Sequence, residues 1–383
     1  MSSPLSTAHC SGSPGYKPAS LAGKTHIPAL DAHFTAHNAR RTEHEWPLDR
    51  GDVIEVQGPA ASGKTHLLYH FILTCIIPPR CGDRDLGGWG KAAILIDTDG
   101  NFNAHRFHEV LVSRLNRLLG LQNAEEDSGL VQTYATDCLE RFVVFRPTSS
   151  VQLAITILDL PRHHRSDARL KDFEIGLLAI DSMSAFYWRD RFALEQLRNV
   201  ADSSLDVGSA PNLLHYVVDA LHQFRRSHRP VILMTNWGLN PLSKVADSGG
   251  ATKPFYRQHL HPFPAPFDSS HGAAEALANL ENTQRVPKDD QAQLNEVAIP
   301  LARDPPRFEV PLSLHYHITL HPSPIDPFPA TYSLVDAADQ EHMRAQLVEK
   351  AEIRGFVRAP GSGAVGEFTF CIADQEILVD GDG

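Results

Sequence analysis

Residues 53–79 read VIEVQGPAASGKTHLLYHFILTCIIPP, and this stretch decides the fold. VIEVQ alternates apolar and polar residues as a strand does, and HLLYHFILTCII at 66–77 carries apolar side chains at helical spacing until Pro78 ends the run. Between them Gly58-Pro59-Ala60-Ala61-Ser62-Gly63-Lys64-Thr65 satisfies G-x-x-x-x-G-K-[ST]. The pattern carries meaning because it joins a strand to a helix. Glycines let the backbone wrap phosphates with its N–H groups, and the positive end of the helix that begins near Lys64 points at them. Lys64 is then placed to reach the β and γ oxygens, and the Thr65 hydroxyl to ligate Mg²⁺.

Further along, KAAILID (91–97), RFVVF (141–145), GLLAID (176–181) and PVILMTN (230–236) are short apolar runs of strand length. Helical spacing separates them: Phe107, Leu111, Leu115 and Leu118 within 103–119, a helix over 149–160 capped by Ser149 or Ser150 and stopped by Pro161, and an amphipathic helix over 212–228. Strands alternating with helices predict an α/β fold of the P-loop type, a doubly wound and largely parallel sheet. LSLHYHITL (312–320) reads as another strand, 337–354 as a helix, and EFTFCIADQEIL (367–378) as a closing antiparallel hairpin. Residues 1–46 read as a disordered leader, 47–237 as the core, 238–310 as an irregular and mobile insertion, and 311–383 as C-terminal elements that complete the core.

The chain has 383 residues, 42% hydrophobic and 21% charged, enough for one large α/β core or two small domains. A net charge of −11 argues against strong autonomous binding to nucleic acid, so any DNA contact is expected to be local or shared. No run approaches 18 apolar residues and the first residues lack a signal pattern, so no membrane segment or secretion is expected. The five cysteines include no C-x-x-C pair and read as reduced thiols of an intracellular protein.

Asp181 closes GLLAID at the position where a P-loop protein keeps the carboxylate that holds the Mg²⁺ water or the Thr65 hydroxyl; a plain helix cap is the simpler alternative. Asp97 and Asp99 end another strand.

GPAASGKT, IDTDGNF (96–102), LLAIDSMSAFYWRDR (177–191) and VILMTNW (231–237) come in the order and spacing of the RecA-like recombinase core, and the chain resembles the eukaryotic recombinase-paralog branch of that superfamily over about residues 50–237. The resemblance implies an ATP- and Mg²⁺-binding protein of the nucleus, acting in homologous recombination beside another recombinase paralog, with DNA reached through the complex. It also implies that one of Asp97 and Asp99 faces the γ-phosphate. Where active recombinases carry the glutamate that positions the attacking water, this chain has Asp99, whose carboxylate stops short by about 1.5 Å. A misplacement of about 1 Å can cost on the order of a hundredfold in rate, so hydrolysis is expected to be slow at best. Where they place the glutamine that passes the γ-phosphate signal to a DNA-binding loop, this chain has Trp237, an indole with one donor and no acceptor, although Asn236 matches the family. Those enzymes also donate an F-x-x-A-type strand to a neighbouring core. The nearest candidate, Phe34-Thr35-Ala36-His37, has its alanine at the wrong spacing, and the segment before the core is too short for a domain and linker, so the chain is expected to cap a paralog complex.

The alternative is an active DNA-dependent ATPase that itself drives strand exchange or filament remodelling; a P-loop kinase or transport ATPase fits the DSMSAFYW block less well. Weaker features have plainer alternatives. His315 and His317 share a strand face and could ligate metal, but 21 histidines are scattered along the chain. Arg162-His163-His164-Arg165 and Arg225-Arg226 could contact phosphate or be solvated helix ends. Phe186, Tyr187 and Trp188 could stack on bases or be buried.

Overall fold

A computed structural model describes residues 23–41, 47–120, 128–200, 212–241, 255–260, 263, 312–322, 329, 331–349, 351–360, 362–373 and 376–379. The chain runs through α1 (Pro28–Arg41), β1 (Val53–Gly58), α2 (Lys64–Ile76), the small ribbon β2 (Arg80–Cys81) and β3 (Arg84–Asp85), β4 (Ala92–Asp97), α3 (Ala104–Leu119), α4 (Ser128–Leu139) and β5 (Phe142–Phe145). It continues with α5 (Ser150–Ser166), β6 (Ile175–Asp181), α6 (Tyr187–Val200), α7 (Leu213–His228), β7 (Val231–Trp237), a second ribbon β8 (Asn240–Pro241) and β9 (Tyr256–Arg257), and β10 (Tyr316–His321). Then come α8 (Leu334–Asp339), α9 (Glu341–Glu349), β11 (Glu352–Arg358), β12 (Val365–Ile372) and β13 (Ile377–Val379).

One nine-stranded sheet has the order β13-β12-β11-β10-β1-β7-β6-β4-β5. The strands from β10 to β5 are parallel, and β11, β12 and β13 are added antiparallel. This is the mostly parallel α/β architecture that the sequence predicts, with its C-terminal hairpin. The apolar runs need no alternation because the sheet is covered on both faces. On β4, Ala93 and Leu95 enter the core beneath α1 to α4, while Ile94 and Ile96 enter the core beneath α5 and α7; β6 and β7 divide in the same way. β1 departs from this: Ile54 and Val56 join the first core, but Glu55 and Gln57 point to the other face and are buried there. The parallel strands end at one edge, where Gly58 lies opposite Trp237 and Asp97 opposite Asp181. That edge is where ligands bind in open α/β sheets.

Several elements differ from the sequence reading. Residues 28–41, read as leader, form α1, with Ile27, Leu30 and Phe34 fully buried. The Asp31 carboxylate accepts from the backbone N–H of Thr25 (2.8 Å) and of His26 (3.1 Å), which stops the chain from unwinding at that end. The spacing 27, 30, 34 is helical, and a polar, histidine-rich composition concealed it. Residues 1–22 and 42–46 of that stretch lie outside the described residues. Within 238–310, residues 255–260 and 263 are anchored, with Phe255, Leu260 and Phe263 buried; 242–254 and most of 261–310 lie outside the described residues. α5 runs through Pro161 instead of stopping there, its final turn held by the Asp167 N–H on the His163 carbonyl and by His164 Nε2 on the Phe173 carbonyl. The helix predicted over 337–354 ends at Glu349, and 352–358 is strand β11, because Ile353, Gly355 and Val357 alternate inward and the Phe368 ring lies where a side chain at Gly355 would go. α4 and α6 were not anticipated.

Candidate functional site

The loop between β1 and α2 is shaped by two left-handed residues, Ala61 (φ 58°) and Gly63 (φ 81°), the second being the residue that precedes the helix. A Cβ at Gly63 would lie 2.5 Å from Ile353 Cδ1, and one at Gly58 would lie 2.4 Å from Ser62 Oγ and 2.8 Å from the Leu320 carbonyl. Both glycines are therefore sterically required, and the C-terminal strands wall the loop on one side. Ser62 Oγ is buried without a hydrogen-bond partner among the described residues. Lys64 folds back over its own loop, donating to the carbonyls of Gly58 (2.9 Å) and Pro59 (2.7 Å).

Thr65 Oγ1 donates to Asp181 Oδ2 at 2.6 Å, and the carboxylate's other oxygen accepts from Thr235 Oγ1 at 2.5 Å. Three strands thus converge: β1 through the loop, β6 at Asp181 and β7 at Thr235. Asp97 and Asp99 take different roles. Asp97 is buried and spent on structure, accepting from the Asn101 N–H (3.0 Å), the Phe102 N–H (3.2 Å) and Arg146 Nε (2.9 Å). Asp99 is held by Ser182 Oγ at 3.0 Å. Burial pushes the Asp99 carboxyl above its ordinary range, the nearby Asp181 and Asp97 add to this, and Ser182 and Lys64 oppose it. Burial also lowers the Lys64 ammonium, while Asp181 and Asp99 hold it up.

At the end of β7, Asn236 is committed on both sides of its amide: Nδ2 donates to Glu55 Oε1 (2.6 Å), and Oδ1 accepts from Ser184 Oγ (3.1 Å). The Trp237 N–H donates to the same Ser184 oxygen at 3.0 Å. Of the three aromatics after β6, Phe186 is buried, Tyr187 meets His259 edge-on at 5.0 Å, and Trp188 is 56% exposed. Arg162 pairs with Asp159 on its own helix and is largely exposed, a solvated helix end, whereas Arg225 Nε donates to the Gly51 carbonyl (2.6 Å) and serves the fold. His315 accepts the Val53 N–H (3.1 Å), and His317 is buried against Arg358. No cluster of three or more metal-ligating side chains occurs among the described residues. Thr235, Ser182 and Glu55 were missed. The signal for Glu55 was its place in an alternating strand, where a carboxylate on the second face needs a partner.

Among curated proteins, the chain is 29% identical over 213 residues to the "DNA repair protein XRCC2 homolog" of Arabidopsis thaliana, covering 50% of this chain and 56% of that protein. It is 33% identical over 174 residues to the "DNA repair protein XRCC2" of Mus musculus, covering 45% and 52%. A third relative, the "DNA repair and recombination protein RadA" of Methanoculleus marisnigri, is 28% identical over 140 residues, 37% of this chain and 38% of that protein. The chain is a RecA-like homologue of XRCC2 and RadA. It spans about half the length of the XRCC2 relatives it matches. No family model matches it.

Proposed function

We propose that this chain binds ATP with Mg²⁺ at Gly58–Thr65 and Asp181, hydrolyses it slowly, and serves as a subunit of a nuclear complex for DNA double-strand-break repair by homologous recombination. The observation that carries the nucleotide reading is the 2.6 Å bond between Thr65 Oγ1 and Asp181 Oδ2 beside a loop whose glycines admit no side chain. A hydroxyl and a carboxylate are hard oxygen donors of the kind Mg²⁺ takes, and the partnerless Ser62 hydroxyl lies in the same cradle. Thr65 and Asp181 would hold the metal, which would supply positive charge against the phosphates; Thr235 fixes the orientation of Asp181, and Lys64 supplies the loop's own positive charge.

Asp99 is the carboxylate left to orient water, since Asp97 is engaged by Arg146 and two backbone N–H groups. Its short side chain and its bond to Ser182 support slow turnover. The experiment is ATP affinity together with DNA-stimulated phosphate release, in the wild type and in Asp99→Glu. Saturable binding is expected with little release, rising severalfold in the variant. Robust wild-type release would instead favour an active ATPase that drives strand exchange or remodels filaments.

The proposed partner is another recombinase paralog. Phe34, the aromatic of the Phe34-Thr35-Ala36-His37 stretch before the core, is fully buried in α1 with its ring centroid 4.2 Å from that of Tyr316, so it cannot be donated to a neighbour. Among the described residues, β5 is the last strand at the other end of the sheet, and Val151, Ile155 and Leu158 of α5 are exposed. An extended segment of a partner could add there as a strand. With a net charge of −11, contact with DNA is assigned to the complex rather than to this chain alone.

A further inference from the structure

The face of the sheet opposite α1 to α4 carries a buried polar cluster that the nucleotide site does not use. Glu55 on β1 is fully buried, and its Oε1 accepts two amide bonds, from Asn236 Nδ2 (2.6 Å) and from Gln258 Nε2 (2.7 Å). Those two residues stand on either side of the chain that leaves β7 and returns at 255–260. Between them β8 pairs with β9, Asn240 opposite Arg257 and Pro241 opposite Tyr256. A single carboxylate oxygen therefore grips both feet of this excursion. The returning foot is held further by Phe255, which lies under the Arg358 guanidinium at 4.0 Å, while Gln258 Oε1 accepts the Leu260 N–H within the foot and so orients the Gln258 amide. It is held again at His259, whose Nε2 is 3.3 Å from Ser184 Oγ.

The groups facing Glu55 come from every element around it. Arg358 Nε of β11 donates to His317 Nδ1 (3.1 Å), so the other ring nitrogen of His317 carries the proton, and it meets Gln57 Oε1 at 3.1 Å. Glu55 Oε2 lies 3.7 Å from His317 Nε2 and makes no hydrogen bond among the described residues. Burial drives the His317 ring down to about 3, so it is neutral and the contact is no ion pair. Arg358 is the cation in the cluster, itself lowered by burial to about 10 and held up by Glu55.

We propose that Glu55 is the positioning residue that clamps the two feet, 236–241 and 255–260, onto the sheet, and that release of the second foot is linked to loss of a proton. Burial pushes the Glu55 carboxyl up to about 7, against the two amide bonds and Arg358, which favour the charged form. Lifting residues 255–260 lets water reach the carboxylate, so the closed arrangement holds a proton that the lifted one releases. Closure is therefore favoured at low pH and weakens as pH rises towards 7. The inference stands on this cluster and does not depend on nucleotide binding.

The test is hydrogen exchange of the full chain, read by mass spectrometry on peptides covering 232–241 and 255–260 and corrected for intrinsic rates. In the wild type, opening of 255–260 is expected to increase about tenfold from pH 6 to pH 8. In Glu55→Gln, which keeps an acceptor oxygen and cannot ionise, that increase disappears. Gln258→Leu removes one grip and leaves β7 intact, so it should expose 255–260 while 232–241 keeps its protection. An unchanged pH profile in Glu55→Gln would overturn the proton linkage. Unchanged protection of 255–260 in Gln258→Leu would overturn the clamp.

Discussion

Asp181 is useful because both of its oxygens are fixed, by Thr65 on one side and Thr235 on the other. Thr235→Val keeps the shape of the buried side chain and removes one hydroxyl, a loss of about 1–3 kcal/mol in stability if the carboxylate oxygen finds no other donor. The Mg²⁺ requirement for nucleotide binding should move to higher concentration in this variant, measured by titrating Mg²⁺ at fixed ATP; an unaltered requirement would mean that Thr235 does not orient Asp181. His317 gives a second residue-level prediction. Its ring is held neutral, with a folded value near 3 against an ordinary 6.5. The stability tied to that neutrality is complete above about pH 6.5 and is lost as pH falls towards 3. The melting temperature of the wild type relative to His317→Gln should therefore drop on acidification through that range, whereas a pH-independent difference would contradict the assignment.

At the level of elements, the stretches legible in the sequence were those whose period and punctuation agreed. β1, α2, β4, β6 and β7 were readable because apolar runs ended in Gly, Pro or a carboxylate, and the glycine loop fixed their order. α1 was not, because its core residues Leu30 and Phe34 sit among histidines and alanines, and its N-terminus is secured by Asp31 acting on backbone before the helix. α5 extended past Pro161 because bonds to the His163 and Phe173 carbonyls hold its last turn, a tertiary effect with no local signal. Two substitutions test these elements. Phe34→Ala should cost about 3–5 kcal/mol in chemical denaturation, since the ring is fully buried against Tyr316, and a cost under about 1 kcal/mol would mean that α1 is not part of the core. Gly63→Ala forces a side chain into a left-handed residue whose Cβ position is 2.5 Å from Ile353, so it should lower both stability and nucleotide affinity.

For the whole molecule, the sequence brought the glycine loop and Asp181 to one edge of the sheet and, through the resemblance, singled out Asp99; only the folded chain shows that Arg146 and two backbone N–H groups occupy Asp97. Thr235 bonds Asp181, Ser182 bonds Asp99 and Glu55 bonds Asn236, partners that come together only in the fold, which is why no local motif announced them. The capping role predicts that the isolated chain with ATP and DNA shows no filaments by light scattering and forms a defined pair with a co-expressed paralog; self-assembled filaments would contradict it. The central claim, that residues 58–65 with Asp181 form a working nucleotide site, is tested most directly by thermal melts of wild type and Lys64→Ala over a range of Mg²⁺-ATP concentrations. The account predicts that the variant stays folded without nucleotide, losing no more than its two loop hydrogen bonds, and that only the wild type gains stability, by about 2.7 kcal/mol at a hundred times its Kd. A wild type that ignores millimolar ATP, or a variant that keeps the full shift, would contradict it.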